Sequence, residues 1–123
     1  MIMEEKMYDL EDRLIEFAVL TMEIAEALSR SDSGRYLSGQ MIRSGTSPAL
    51  VYGEAQSAES RNDFIHKMKV ALKELRETCI NLKIIQKKEF RSLPENLPMA
   101  LAEVNELISI FVKSIQTAKK NLE

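Results

Sequence analysis

The chain has 123 residues, 45% of them hydrophobic and 29% charged, with a formal net charge of −2 and a pI of about 5.6. That length suits one domain with a single core, and the composition is that of a soluble globular protein, not a disordered or membrane-spanning one. Aromatics at 6%, no Trp and 7 Met favour a helical core over a sheet, and a single cysteine, Cys79, excludes an internal disulfide and most zinc frameworks.

The first thirteen residues, MIMEEKMYDLEDR, are acidic and lack an apolar run, so they read as neither a signal nor a transit peptide. No later stretch is long and apolar enough to span a membrane. The expected location is the cytoplasm, with Cys79 in the core. From Leu10 onward apolar or small residues recur at Leu14, Phe17, Thr21, Ile24 and Leu28, steps of four and three that mark one face of a helix from about Glu5 to about Ser29. A second row, Ile15, Val19 and Met22, lies well away from the first at about 100° per residue. It reads either as the flank of a wide core or as a contact with another subunit.

Ser31-Asp32-Ser33-Gly34 is a turn rich in capping residues, followed by a helix from about Gly34 to about Ser57. Pro48 interrupts the pattern. It lacks a backbone donor and presses on the carbonyl of Ser44. The expectation is a kink near Pro48, or two abutting helices with Thr46 or Ser47 as a second cap, or Pro48 at the first position of a restarted helix. Gly45 admits the close approach of another backbone. Ser60 with Asp63 three residues on is a variant of the capping box and starts a helix from about Arg61 to about Lys87. Its stripe is Phe64, Met68, Ala71, Leu72, Leu75, Cys79 and Leu82, with Val70, Ile80 and Ile84 off that line. Residues 88–94 form a loop in which Ser92 and Pro94 are start signals. The last helix carries Leu97, Leu101, Val104, Ile108, Phe111 and Ile115 and ends near Lys119. Short connections between long helices make neighbours antiparallel, so the expected fold is all-α, an up-down-up-down four-helix bundle kinked near Pro48.

Charge is segregated. Residues 1–30 hold eight acids and three bases; residues 60–91 hold four acids and nine bases. Lys69, Lys73, Arg76, Lys83 and Lys87 share one face of the third helix. That stripe reads either as a contact to the phosphates of RNA or DNA or as a solvated face set against the acidic first helix of its own or a neighbouring chain. The acidic pI and the lack of aromatics among the lysines argue against a dedicated nucleic-acid binder.

Catalytic constellations are weak. Asp63 and His66, the only histidine, resemble one arm of a di-metal carboxylate bundle, which needs two such arms and two further glutamates. Cys79 has no nearby base. The glycines match no phosphate loop. Glu74 and Glu77 are one turn apart, with Glu74 at the edge of the apolar stripe. The structural reading is a polar hub of Arg43, Ser44, Glu54, Glu74 and Glu77 that locks two helices; the competing reading is paired carboxylates for acid–base work. The expectation is no enzyme, no cofactor, no metal and no small-molecule substrate.

The run Gln40-x-x-Arg43-Ser44-x-x-Ser47, then Glu54, then Asp63-Phe64, then Ala71-Leu72-x-Glu74-Leu75-x-Glu77 resembles the four-helix-bundle proteins encoded in intervening sequences of bacterial large-subunit ribosomal RNA genes. The motif covers residues 37–82, and the helix pattern extends the likeness over nearly the whole chain. The resemblance implies a bacterial, ring-shaped homopentamer. The accessory protein of diversity-generating retroelements, a strongly basic pentamer that binds nucleic acid and a reverse transcriptase, is similar. Two departures stand out. The family has Asn before an Ile-Ala-Glu-Gly run where this chain reads Val51-Tyr52-Gly53-Glu54-Ala55, and the balance here is acidic. The expected partners are therefore further copies of the chain, meeting through Ile15, Val19 and Met22 on one side and Val70, Ile80 and Ile84 on the other, with nucleic acid bound at most weakly.

Overall fold

The computed structural model describes residues 2–28, 30–88, 90 and 93–122, with side chains from Leu10 onward. Four helices hold most of them: α1 (Ile2–Ala27), α2 (Asp32–Gln56), α3 (Arg61–Lys88) and α4 (Leu97–Lys120).

Local hydrogen bonding explains the boundaries. The Ser31 hydroxyl accepts from the Gly34 N–H at 3.1 Å, so α2 begins at Asp32 and Gly34 is already inside its first turn. The Ser60 hydroxyl accepts from the Asp63 N–H at 3.0 Å, and the Asp63 carboxylate accepts from the Glu59 N–H at 3.3 Å. The Ser60 cap satisfies one donor that the helix start leaves open and contributes about 1 kcal/mol, while the Asp63 carboxylate holds the residue before the cap. α4 starts without a side-chain cap; the Leu97 N–H donates to the Pro94 carbonyl at 3.1 Å, and Pro98 sits in the first turn, where its missing donor costs nothing. α1 begins at Ile2, earlier than Glu5, and stops at Ala27; Ser29 and Ser92 lie outside the described residues.

α2 is one helix. It runs unbroken from Asp32 to Gln56 with Pro48 buried inside it, so no second helix restarts there. Thr46 does not act as a second cap. Its hydroxyl donates back to the Ile42 carbonyl at 2.7 Å, the arrangement that lets a threonine sit within a continuing helix.

Contacts step in opposite directions along successive helices. On α1 and α2, Ser38 reaches the Ala25 carbonyl while Gly45 meets Thr21. On α2 and α3, Arg43 reaches Glu77 while Glu54 meets Lys67. Successive helices therefore run antiparallel. Each helix has two close neighbours, with α1 and α3 at opposite corners of the bundle, and across the other diagonal Tyr52 of α2 meets Phe111 of α4 edge-on. The α1–α4 seam is much the thinnest of the four.

The core is the expected stripes brought together. Leu14, Phe17, Ile24, Met68, Leu75 and Leu82 are all buried, as is Cys79. A fully buried side chain of this size contributes about 1.5–3 kcal/mol. α4 is rotated from expectation: Ala100 and Leu107 are buried, while Leu101 and Ile108 are only partly so. The buried line is shifted toward the side of α4 that carries Glu103 and faces Arg13 of α1, and away from the side that carries Asn105 and faces Cys79 of α3.

Gly45 sets the spacing of α1 and α2. A Cβ at that position falls 2.6 Å from the Thr21 Cβ and closer still to its hydroxyl. Thr21 is fully buried and its hydroxyl donates to the Ala18 carbonyl at 2.8 Å, so it has no room to retreat. In a helix interior Gly→Ala ordinarily stabilises by about 1 kcal/mol. Here Gly45→Ala is expected to destabilise by about 1–3 kcal/mol through overpacking, whereas Gly39→Ala, with nothing within 4 Å, is expected to stabilise. Denaturant midpoints of the two variants check the opposite signs.

Candidate functional site

The α2–α3 interface gathers the polar residues. Ser44 and Thr78 are fully buried. Their hydroxyls lie 3.0 Å apart, the Thr78 hydroxyl is 2.8 Å from the Glu74 carbonyl, and the Asn81 amide donates to the Ser44 hydroxyl at 3.3 Å. At the rim of this cluster the Arg43 guanidinium forks to two carboxylates, Glu77 at 2.7 Å and Glu74 at 3.1 Å. The side chains of Arg43, Glu77 and Glu74 are 53%, 37% and 14% exposed, so the network grades from solvent toward the core. The hydrogen bond to Glu77 and then the charge of Glu74 raise the Arg43 pKa above its ordinary value.

Four of the five expected hub residues therefore meet: Arg43, Ser44, Glu74 and Glu77. Glu54 does not join them. It lies nearly three turns further along α2 and pairs with Lys67 at 3.3 Å. Thr78 and Asn81 are members the sequence reading missed. Their signal was a pair of polar residues three apart, on the α3 side that carries Glu74. Glu74 and Glu77 are both tied to the Arg43 guanidinium at the edge of a shallow groove, and the arrangement locks α2 to α3.

A second polar clamp closes α1 on α4. Arg13 donates to Glu103 at 2.7 Å and to Glu106 at 2.9 Å. The hydrogen bond to Glu103 leads the causes that raise the Arg13 pKa. Nothing in the local pattern of α1 singled out Arg13; the readable signal was two glutamates three apart on one face of α4.

The α3 bases are all exposed: Lys69, Lys73, Arg76, Lys83 and Lys87. No carboxylate pairs with them among the described residues. Lys69 also faces Lys119 of α4, whose charge lowers its pKa. With Gln40 and Arg43, the bases Lys69, Lys73 and Arg76 line a shallow groove between α2 and α3. His66 is exposed, and Asp63 is occupied by its cap, so they form no metal arm. Among the described residues no three metal-ligating side chains converge, and no helix is long and apolar enough to cross a membrane.

The apolar rows lie on the outer surface. Ile15, Val19 and Met22 of α1 and Ile80 and Ile84 of α3 are exposed by 41% or more. Val70 is half-buried and stands apart from that exposed pair. Ile80 and Ile84 lie within the basic stripe, so the apolar and cationic groups of α3 form one surface.

The buried cluster and the exposed fork respond differently to truncation. Ser44→Ala removes the acceptor of the Asn81 amide inside the interface and is expected to cost about 1–3 kcal/mol. Arg43→Ala breaks a half-exposed ion pair and is expected to lower the denaturation midpoint by less. Urea titrations of both variants give the order.

No protein-family model and no curated protein matches the chain. A solved structure does. The crystal structure of a protein of unknown function from the S23 ribosomal protein family, from Bacteroides thetaiotaomicron, superposes with a TM-score of 0.77. The two chains are 31% identical, over 85% of this chain and 96% of that one. Sequence identity at that level across nearly the whole neighbour, on the same four-helix frame, carries the assignment: the chain belongs to the S23 ribosomal protein family.

Proposed function

We propose that this protein is a non-enzymatic, self-assembling bundle of the intervening-sequence type that acts in the cytoplasm as an interaction module. The observation that carries this reading is the pair of exposed apolar rows at opposite corners of the bundle, on α1 and on α3. Their surroundings have opposite charge. Glu11, Asp12, Glu16, Glu23 and Glu26 are exposed on α1, and the five bases are exposed on α3. Exposed apolar patches of this kind mark interfaces. Two different patches on opposite corners suit a head-to-tail contact, in which one copy offers α1 and the next offers α3, and such contacts close into rings when the rotation allows. Five copies is the number the family resemblance implies.

Size-exclusion chromatography with light scattering tests the reading. A closed oligomer at micromolar concentration is expected, and a monomer overturns it. Val19→Lys and Ile84→Glu each place a charge in the contact, and each is expected to dissociate the assembly while leaving helical circular dichroism intact.

A second reading is supported by the unpaired bases of α3: an accessory protein that binds RNA or DNA through Lys69, Lys73, Arg76, Lys83 and Lys87. A single stripe on a chain of net charge −2 supports only salt-sensitive, non-specific binding, with a Kd of about 10⁻⁴–10⁻⁶ M at physiological salt. Fluorescence anisotropy with labelled RNA and DNA checks this, and nanomolar, sequence-dependent binding would promote the second reading over the first.

A further inference from the structure

The outer face between α1 and α4 is a groove. Ile15, Val19 and Leu20 of α1 and Met99 and Ala102 of α4 supply its apolar walls. Four acids line it: Glu16 and Glu23 from α1, Glu103 and Glu106 from α4. Arg13 occupies the last two. Glu16 and Glu23 have no cation partner among the described residues. The groove stays open because α1 and α4 touch over so short a stretch.

The surface of α3 from Ile80 to Lys88 has the complementary relief. Ile80 and Ile84, one turn apart and both exposed, form a ridge flanked by Lys83, Lys87 and Lys88. Lys83 and Lys87 have no carboxylate partner among the described residues. Ridge and groove cannot meet within one chain, because α3 stands diagonally across from α1 and turns this face outward.

Resting on the self-assembly reading above, we infer that the Ile80–Ile84 ridge of one copy seats in the α1–α4 groove of the next. The occupant is a second copy because the match is double. The ridge supplies the apolar side chains that would cover Val19, Ile15 and Met99, and it brings lysines to the two acids that lack partners. Complementary charge of this kind fixes the register of an interface and rejects wrong pairings. The position of the groove also sets the shape of the assembly. A ridge docked on the outermost line of α1, directly opposite α3, would stack copies in a straight row. The groove is turned from that line toward α4, so each copy is rotated against the last, and such a contact gives a ring where the rotation closes and a helical filament where it does not.

Charge exchange tests the pairing. Lys83→Glu with Lys87→Glu is expected to weaken assembly by about tenfold or more, as is Glu16→Lys with Glu23→Lys. All four substitutions in one chain are expected to restore the wild-type oligomer by light scattering. A chain carrying Val19→Cys and Ile84→Cys is expected to give a ladder of disulfide-linked copies on mild oxidation, while either cysteine alone gives none. Both charge pairs assembling like wild type would place the contact elsewhere and overturn the inference while the self-assembly reading stands. So would failure of both the fourfold chain to reassemble and the cysteine pair to link, or dimers formed by a single cysteine. A monomeric wild-type chain overturns inference and reading together and leaves the groove to a basic helix of another protein.

Discussion

The close approach of α2 to both of its neighbours governs the arrangement. Ser44 and Gly45 are adjacent in the chain, and successive residues of a helix point about 100° apart. Ser44 faces α3, where its hydroxyl meets Thr78 and Asn81; Gly45 faces α1, where the absence of a side chain lets Thr21 lie against the helix backbone. One half-turn of α2 therefore sets the distance to α1 by sterics and the register on α3 by hydrogen bonding. The two constraints differ in kind. Close packing tolerates no added methyl group, while a buried polar cluster tolerates no slip that leaves a hydroxyl or amide unpaired. Pro48 sits one turn further on. Its lost helix bond is borne by a segment already held on both sides.

Much of this was legible in the sequence, for reasons that differ from helix to helix. The stripe of α1 follows the helical period closely from Leu14 to Leu28, whereas in α3 the expected Phe64 and Leu72 are only partly buried. In α4 the buried line runs through Ala100 and Leu107 instead of Leu101 and Ile108, and no local pattern records which flank of a stripe the neighbouring helices cover. Glu54 was misplaced for a related reason. Its charge and proximity to the motif suggested the hub, but membership depends on which α3 residue stands opposite, and antiparallel register puts Lys67 there. The restart at Pro48 was over-read, since propensity alone predicts a break that packing overrides, and α2 continues through it. The exposed rows on α1 and α3 were visible as a second period beside the first, whereas the groove between α1 and α4 was not, because half of its wall comes from a helix about ninety residues away.

The surface of α3 carries two kinds of group that make different demands. Apolar side chains at Ile80 and Ile84 gain from being covered, whereas lysines at Lys83 and Lys87 gain from an anion or from water. A protein partner with acids beside an apolar wall meets both demands at once. A nucleic-acid backbone meets only the second. The opposite end of the same helix differs. Lys69, Lys73 and Arg76 have no exposed isoleucine between them, and Lys69 is pressed by the charge of Lys119. Ile80 joins the two ends, since it lines the same groove as Lys69, Lys73 and Arg76.

The distribution of contacts also bears on how the chain reaches this structure. Three of the four helix seams join elements that follow one another in sequence, so each forms by closing a short turn. Local topology of this sort goes with rapid folding, because little loop entropy is lost before contacts compensate for it. The remaining seam brings Arg13 to Glu103, residues 90 positions apart. It makes the least contact and joins the most distant parts of the chain. Loop-closure entropy therefore weighs most on the α1–α4 seam, the one seam that no short turn brings together.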